Sequence, residues 1–146
     1  MDLRTQFPRS LRDRLGPYVH LGRMIDKCRA HVIGVLGEYR YPCPLDAFLL
    51  EFIGINAEDF LHAVRERTDQ EVLQWVQTHG TKRSEPEIHE WNTRMLNRGP
   101  DTPEKWDYFL EIRNAVDSTR QDVVTWADLL DLEEGRTVSL RSERGN

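Results

Sequence analysis

Residues 17–46 concentrate the side chains whose types and spacing could do chemistry. His20, Arg23 and Lys27 follow at intervals of three and four, and His31 lies a further turn on. On a helix that spacing puts them along one edge. The edge offers positive charge and titratable imidazoles, so Arg23 and Lys27 are candidate clamps for an anion or carboxylate. His20 is the candidate general base, with Asp26 as its partner in acid–base work. Asp26 also borders a side of small residues (Gly22, Ala30, Gly34), where it would turn inward and form a structural ion pair with an arginine. Glycine weakens a helix by about 1 kcal/mol relative to alanine, so Gly22 and Gly34 point to close approach by another backbone or, second, to room for a ligand. The plainer account of the whole edge is a solvated, charged helix face.

Downstream lies Pro42-Cys43-Pro44. The second proline holds Cys43 extended and starts a helix immediately after it. Thiols at helix N-termini are good nucleophiles because the thiolate is favoured there. Cys43 is therefore a candidate catalytic residue, and Tyr39 and Tyr41 beside it are candidate ligand contacts. A nucleophile also needs a base, which His20 or His31 supplies only if the fold brings one over. The competing account is a small half-buried residue at a tight helix junction. Cys28, on the apolar side of its helix, belongs to the core.

Other chemistries leave no trace. His62, His79 and His89 are isolated, and neither His-Glu-x-x-His nor paired Glu-x-x-His occurs, so no metal is expected. Gly-rich phosphate loops and Gly-x-Ser-x-Gly are missing, and no cofactor is implied. Glu133 and Glu134 are expected to face solvent.

The 146 residues suit one domain, expected over 1–136, with a frayed tail at 137–146. A net charge of −5 argues against nucleic acid as a partner. The charge is uneven. Residues 1–40 carry eight Arg or Lys against four acids, and residues 101–135 carry ten acids against Lys105, Arg113 and Arg120. No apolar run reaches the ~20 residues of a membrane span, and the first sixteen residues have no apolar stretch of the signal-peptide kind. Two cysteines without metal spacing fit a reduced, cytoplasmic protein.

The elements that must position these residues are helices. Gly16-Pro17 suggests the start of one whose apolar stripe is Leu21, Met24, Ile25, Cys28, Val32, Val35 and Leu36, ending near Gly37. Pro44 starts a second, closed by Gly54, and Asn56 caps a third. Thr68 with Glu71 and Ser84 with Glu87 are capping boxes for a fourth and fifth. Thr102-Pro103 starts a sixth, and Thr125 with Asp128 a last short one. Trp75, Trp91, Trp106 and Trp126 fall at core spacing. Strand signals are confined to Glu38–Tyr41 and Asp122–Thr125. The fold class is all-α, a bundle of six to seven short helices.

The segments QFPRS, RMIDKCRA, GEYRYPCPLD, FIGINAEDFL and TWADLLDLEEGR together resemble a family of small bacterial proteins known only as a domain of unknown function. The likeness runs from Gln6 to about Arg136. It implies a compact, stand-alone, cytoplasmic helical protein and brings no activity, cofactor or catalytic residue with it.

Three functions fit this sequence. The first is a binding or interaction domain that offers an anion-accepting groove near the first two helices to a small anionic ligand or protein segment. The second is a small cofactor-independent enzyme using a Cys43 thiolate or His20/Asp26 acid–base chemistry. The third is an assembly or scaffold subunit with no pocket.

Overall fold

The structure, a computed structural model, describes residues 1–143. Among them are seven α-helices, a two-residue antiparallel ladder and a 3-10 turn at Arg141–Glu143. The expected mainly helical architecture is present. The chain divides into two compact units, Met1–Glu90 and Trp91–Asn146.

The first unit opens with β1 (Arg14–Leu15) and β2 (Tyr18–Val19), followed by α1 (Leu21–Val32), α2 (Pro44–Ile53), α3 (Ala57–Val64) and α4 (Asp69–His79). Its core takes Leu11, Val19, Leu21, Met24, Ile25, Cys28, Leu49, Ile53 and Phe60 almost wholly out of water. Each such side chain contributes about 1.5–3 kcal/mol of burial. α1 packs on α3, and α3 on α4. Three helix starts follow the capping chemistry of the sequence. Asn56 accepts from the Asp59 amide, Thr68 and Glu71 cap one another's backbone, and Pro44 occupies the first turn of α2.

Helix α1 is shorter at both ends than expected: it starts at Leu21, not at Pro17, and ends at Val32, not near Gly37. Gly16 and Pro17 do not cap it; they form the two-residue turn between β1 and β2, with Gly16 at φ 56°. A positive φ at the first turn position suits glycine and the twist of a hairpin. A Cβ on Gly16 would lie 2.6 Å from Leu73 Cδ2, so packing also keeps the residue small. At the other end α1 stops in a Schellman motif. Gly34, at φ 73°, donates to the His31 carbonyl, and the Val35 amide reaches back to Ala30. Gly34 thus closes the helix instead of interrupting it. The strands likewise lie in the hairpin, and neither Glu38–Tyr41 nor Asp122–Thr125 is one.

Helix α5 (Glu85–Asn97) carries the chain into the second unit, which holds α6 (Pro103–Asp117) and α7 (Trp126–Glu133). Thr102 and Thr125 cap these last two by accepting from the Lys105 and Asp128 amides. Trp106 and Trp126 meet Phe109 edge-on, with centroids 5.5 and 5.1 Å apart, over a core of Phe109, Val123, Leu129 and Val138. Val138 changes the picture of the tail, because the chain after α7 packs into this core and the Arg141 amide donates to Asp122. Residues 144–146 lie outside the described residues. Glu133 is exposed as expected, but Glu134 turns inward and pairs with Arg136.

A buried charge cluster beneath Cys43 as the candidate functional site

The start of α2 and one side of α1 meet in a cluster of four residues. Cys43 is the N-cap of α2, in extended backbone at φ −96° and ψ 172°. Three residues on, Asp46 folds back so that its Oδ2 accepts from the Cys43 amide at 3.0 Å. This is the acidic half of a capping box, with cysteine where serine or threonine is usual. Lys27, from the second turn of α1, places Nζ 2.6 Å from the same oxygen and 3.1 Å from Cys43 Sγ. The other carboxylate oxygen, Oδ1, lies 2.7 Å from His20 Nε2.

Burial makes these contacts consequential. His20 and Asp46 have no solvent exposure and Lys27 has 3%, whereas Cys43 is half-buried. A buried ion pair is tolerable only where both charges find partners. Here one carboxylate serves an ammonium, an imidazole and an amide. Burial alone raises the Asp46 carboxyl, but hydrogen bonding from His20, the charge of Lys27 and the Cys43 amide outweigh it and hold the group well below the usual carboxylate range. Burial pushes the His20 imidazole down and outweighs the pull of Asp46, so the ring is neutral. A carboxylate only accepts, so Nε2 carries the proton, and Nδ1 is a buried lone pair without a hydrogen-bond partner among the described residues. His20 also adopts a left-handed conformation, φ 69°, immediately before α1. For a residue with a Cβ this costs roughly 1–2 kcal/mol, and it turns the imidazole toward α2.

A family model matches residues 5–136 of this chain. The chain belongs to the family described as Domain of unknown function (DUF5069). No curated protein matches it.

In this member of the family the remaining candidates are placed around the cluster with other partners. Asp26 does not meet His20. It accepts from the Arg9 amide at 2.8 Å and from the Arg9 guanidinium at 3.1 Å, and Arg9 continues to Asp69. Arg29 reaches Asp69 from α1 at 2.9 Å. This is the inward structural ion pair that Asp26 suggests. Arg9 also accounts for Gly22, since a Cβ there would sit 3.0 Å from the guanidinium carbon. The close approach is by a side chain, not by a backbone or ligand.

Arg23 is buried, donates to the Arg9 carbonyl and stands 5.6 Å from the centre of the Tyr39 ring. Tyr41, preceded by exposed Arg40 and joined to Pro42 by a cis peptide bond, buries its ring and donates its hydroxyl to the Ala57 carbonyl at 2.7 Å. Cys28 lies in the core, where burial pushes its thiol up to about 12. His31 is exposed, with its ring 6.4 Å from that of Tyr41. The structure therefore unites His20, Lys27 and Cys43, and separates Asp26, Arg23, Tyr39 and Tyr41 into supporting contacts.

Asp46 is the residue that sequence reasoning missed. Its signal was the spacing Cys43-Pro44-Leu45-Asp46, an N-cap, a first-turn proline and an acid three residues after the cap. Among the described residues no group of three or more His, Cys, Asp or Glu is arranged to hold a metal ion. Among them, too, no helix is long and apolar enough to cross a membrane.

Proposed function

We propose that the protein is a small cofactor-independent enzyme acting by covalent thiol chemistry at Cys43. The observation that carries this reading is the Lys27 ammonium, 3.1 Å from Cys43 Sγ and fixed from behind by Asp46 and His20. Reactive cysteines sit in partly exposed, electropositive surroundings, and inert ones are buried among apolar groups. Cys43 is partly exposed with the Lys27 ammonium beside its sulfur, and Cys28 is buried among apolar groups. In this mechanism Cys43 Sγ is the nucleophile toward a small electrophile, and Lys27 balances the charge of the sulfur. Asp46 and His20 are positioning residues: they hold Lys27 in one place, and both are too buried to touch a substrate.

The test is alkylation by iodoacetamide at neutral pH, read residue by residue by mass spectrometry. Cys43 is expected to label fast and Cys28 only on unfolding. Equally slow labelling of both would remove the thiol reading.

A second reading, binding of an anion that carries an apolar part, is favoured by a different place. An open cleft of about 450 Å³ lies between the end of α1 and the α3–α4 turn. Arg29, Arg65 and Arg67 edge it, and Val32, Val64 and the exposed Ile33 form its apolar wall. Guanidinium groups favour carboxylate and phosphate. A rise in melting temperature with a short fatty acid, lost in Arg65→Ala, would support this reading; no rise with any anion would discard it.

A further inference from the structure

The contact between Lys27 and Cys43 sets an amine against a thiol with the lysine unable to swing away. Its Nζ donates to Asp46 Oδ2 at 2.6 Å and to Cys43 Sγ at 3.1 Å, and the side chain is 3% exposed. The sulfur belongs to a half-buried residue between two exposed prolines. We propose that Lys27 and Cys43 form a redox modification site, in which a hydroperoxide joins the two side chains by a nitrogen–sulfur bond. The inference rests on the thiol reading for its first step only.

In that step Cys43 sulfur attacks the O–O bond of the peroxide. Sulfur gains one oxygen and is oxidised to the sulfenic acid, the O–O bond breaks, and the peroxide is reduced and leaves as water from hydrogen peroxide or as the alcohol from an organic hydroperoxide. A sulfenic acid condenses with a nearby nitrogen to give a sulfenamide. In the second step the Lys27 ammonium releases a proton to water, since Asp46 is too weak a base to keep it. The free electron pair of Nζ then attacks the sulfenic sulfur. The N–S bond forms, the S–O bond breaks, and the hydroxyl leaves with a second proton from nitrogen as water. From the ammonium the balance is one water and one proton released, with no further oxidant. Cys28 does not compete for the peroxide, because it is buried and its thiol is held protonated.

The link would have a structural consequence. It removes the charge of Lys27 and leaves the Asp46 carboxylate with neutral donors only: His20, the Cys43 amide and the one N–H that stays on Nζ. Oxidation at the surface of α2 is thereby transmitted to the buried joint between α1 and α2. Thiol reductants attack the sulfur of a sulfenamide and restore both side chains.

The test treats the full chain with hydrogen peroxide, followed by intact mass and tryptic mapping with and without dithiothreitol. The expected product has lost two hydrogens, is not cleaved after Lys27, joins the peptides carrying residues 27 and 43, and reverts with dithiothreitol. Lys27→Arg keeps the charge but is expected to stop at oxygen addition on Cys43. Cys28→Ser is expected to leave the link unchanged, which excludes a disulfide of the same mass. Oxygen added to Cys43 with Lys27 still cleaved, or a joined pair retaining oxygen, overturns the proposed link while the thiol reading stands. A Cys43 that is neither oxidised nor alkylated ahead of Cys28 overturns both.

Discussion

His20 and Asp46 are 26 residues apart in the chain and 2.7 Å apart in the fold, and neither has any exposure to solvent. The contact joins the residue that precedes α1 to the first turn of α2. It fixes which imidazole nitrogen carries the proton, and it leaves the second carboxylate oxygen to Lys27 and the Cys43 amide.

This pairing gives stability a defined dependence on pH. Burial lowers the His20 pKa in the fold, whereas in the unfolded chain it lies near ~6.5. Below that value the unfolded chain binds a proton that the folded one refuses, so folding weakens as pH falls, by up to about 1.4 kcal/mol per pH unit. Asp46 acts lower on the scale. Its folded pKa is also depressed, so its contribution is present above the unfolded value of ~3.9 and is lost as pH falls further. Urea midpoints are expected to drop from about pH 7 to about pH 5, and His20→Gln is expected to flatten that drop. A wild-type midpoint constant over this range would contradict a buried neutral His20.

Removing the shared carboxylate strands a buried cation. Asp46→Asn is expected to cost about 3–5 kcal/mol, as when one partner of a buried pair is deleted. Chemical denaturation measures this. The double variant Lys27→Met with Asp46→Asn is expected to recover a substantial part, because no unpaired charge remains.

The backbone at position 20 separates two parts of what His20 contributes. Both His20→Ala and His20→Gly lose the hydrogen bond to Asp46, which costs about 1–3 kcal/mol where a charged partner remains. Only glycine adopts φ 69° without strain. His20→Gly is therefore expected to be more stable than His20→Ala by about 1 kcal/mol, the reverse of their order inside a helix. Thermal unfolding of the two variants decides it.

Much of this was legible in the sequence, because capping is local. Thr68 with Glu71, Asn56, Thr102 and Thr125 marked helix starts that the fold keeps, since an N-cap and the amides it serves lie within one turn. The apolar stripe of α1 was equally plain. Its ends were not: Gly16-Pro17 fits a helix start and a hairpin turn alike, and β1 pairing with β2 decides between them. Nor could spacing show that Lys27 and Arg23 point inward, because a charged helix edge has the same pattern whether it meets water or a buried carboxylate. Asp46 was overlooked because its role depends on a lysine 19 residues earlier.

Val138 ties the segment after α7 to the second unit. Val138→Ala is expected to cost about 1–2 kcal/mol, near the burial of the removed methyl groups plus the space they leave. Leu140→Ala, at an exposed neighbour, is expected to be close to neutral. Thermal melts of the pair distinguish a packed segment from a loose tail.

The most direct measurement is the rate at which iodoacetamide alkylates Cys43 in the wild type and in variants that lose the Lys27 charge. Lys27→Met removes it alone, and Lys27→Met with Asp46→Asn removes both charges of the pair so that the fold is retained. If Lys27 activates the sulfur, both variants are expected to react about tenfold more slowly at neutral pH, which corresponds to ~1.4 kcal/mol. Wild-type and double-variant rates that agree would contradict the account, and would leave the cluster as a strut between α1 and α2.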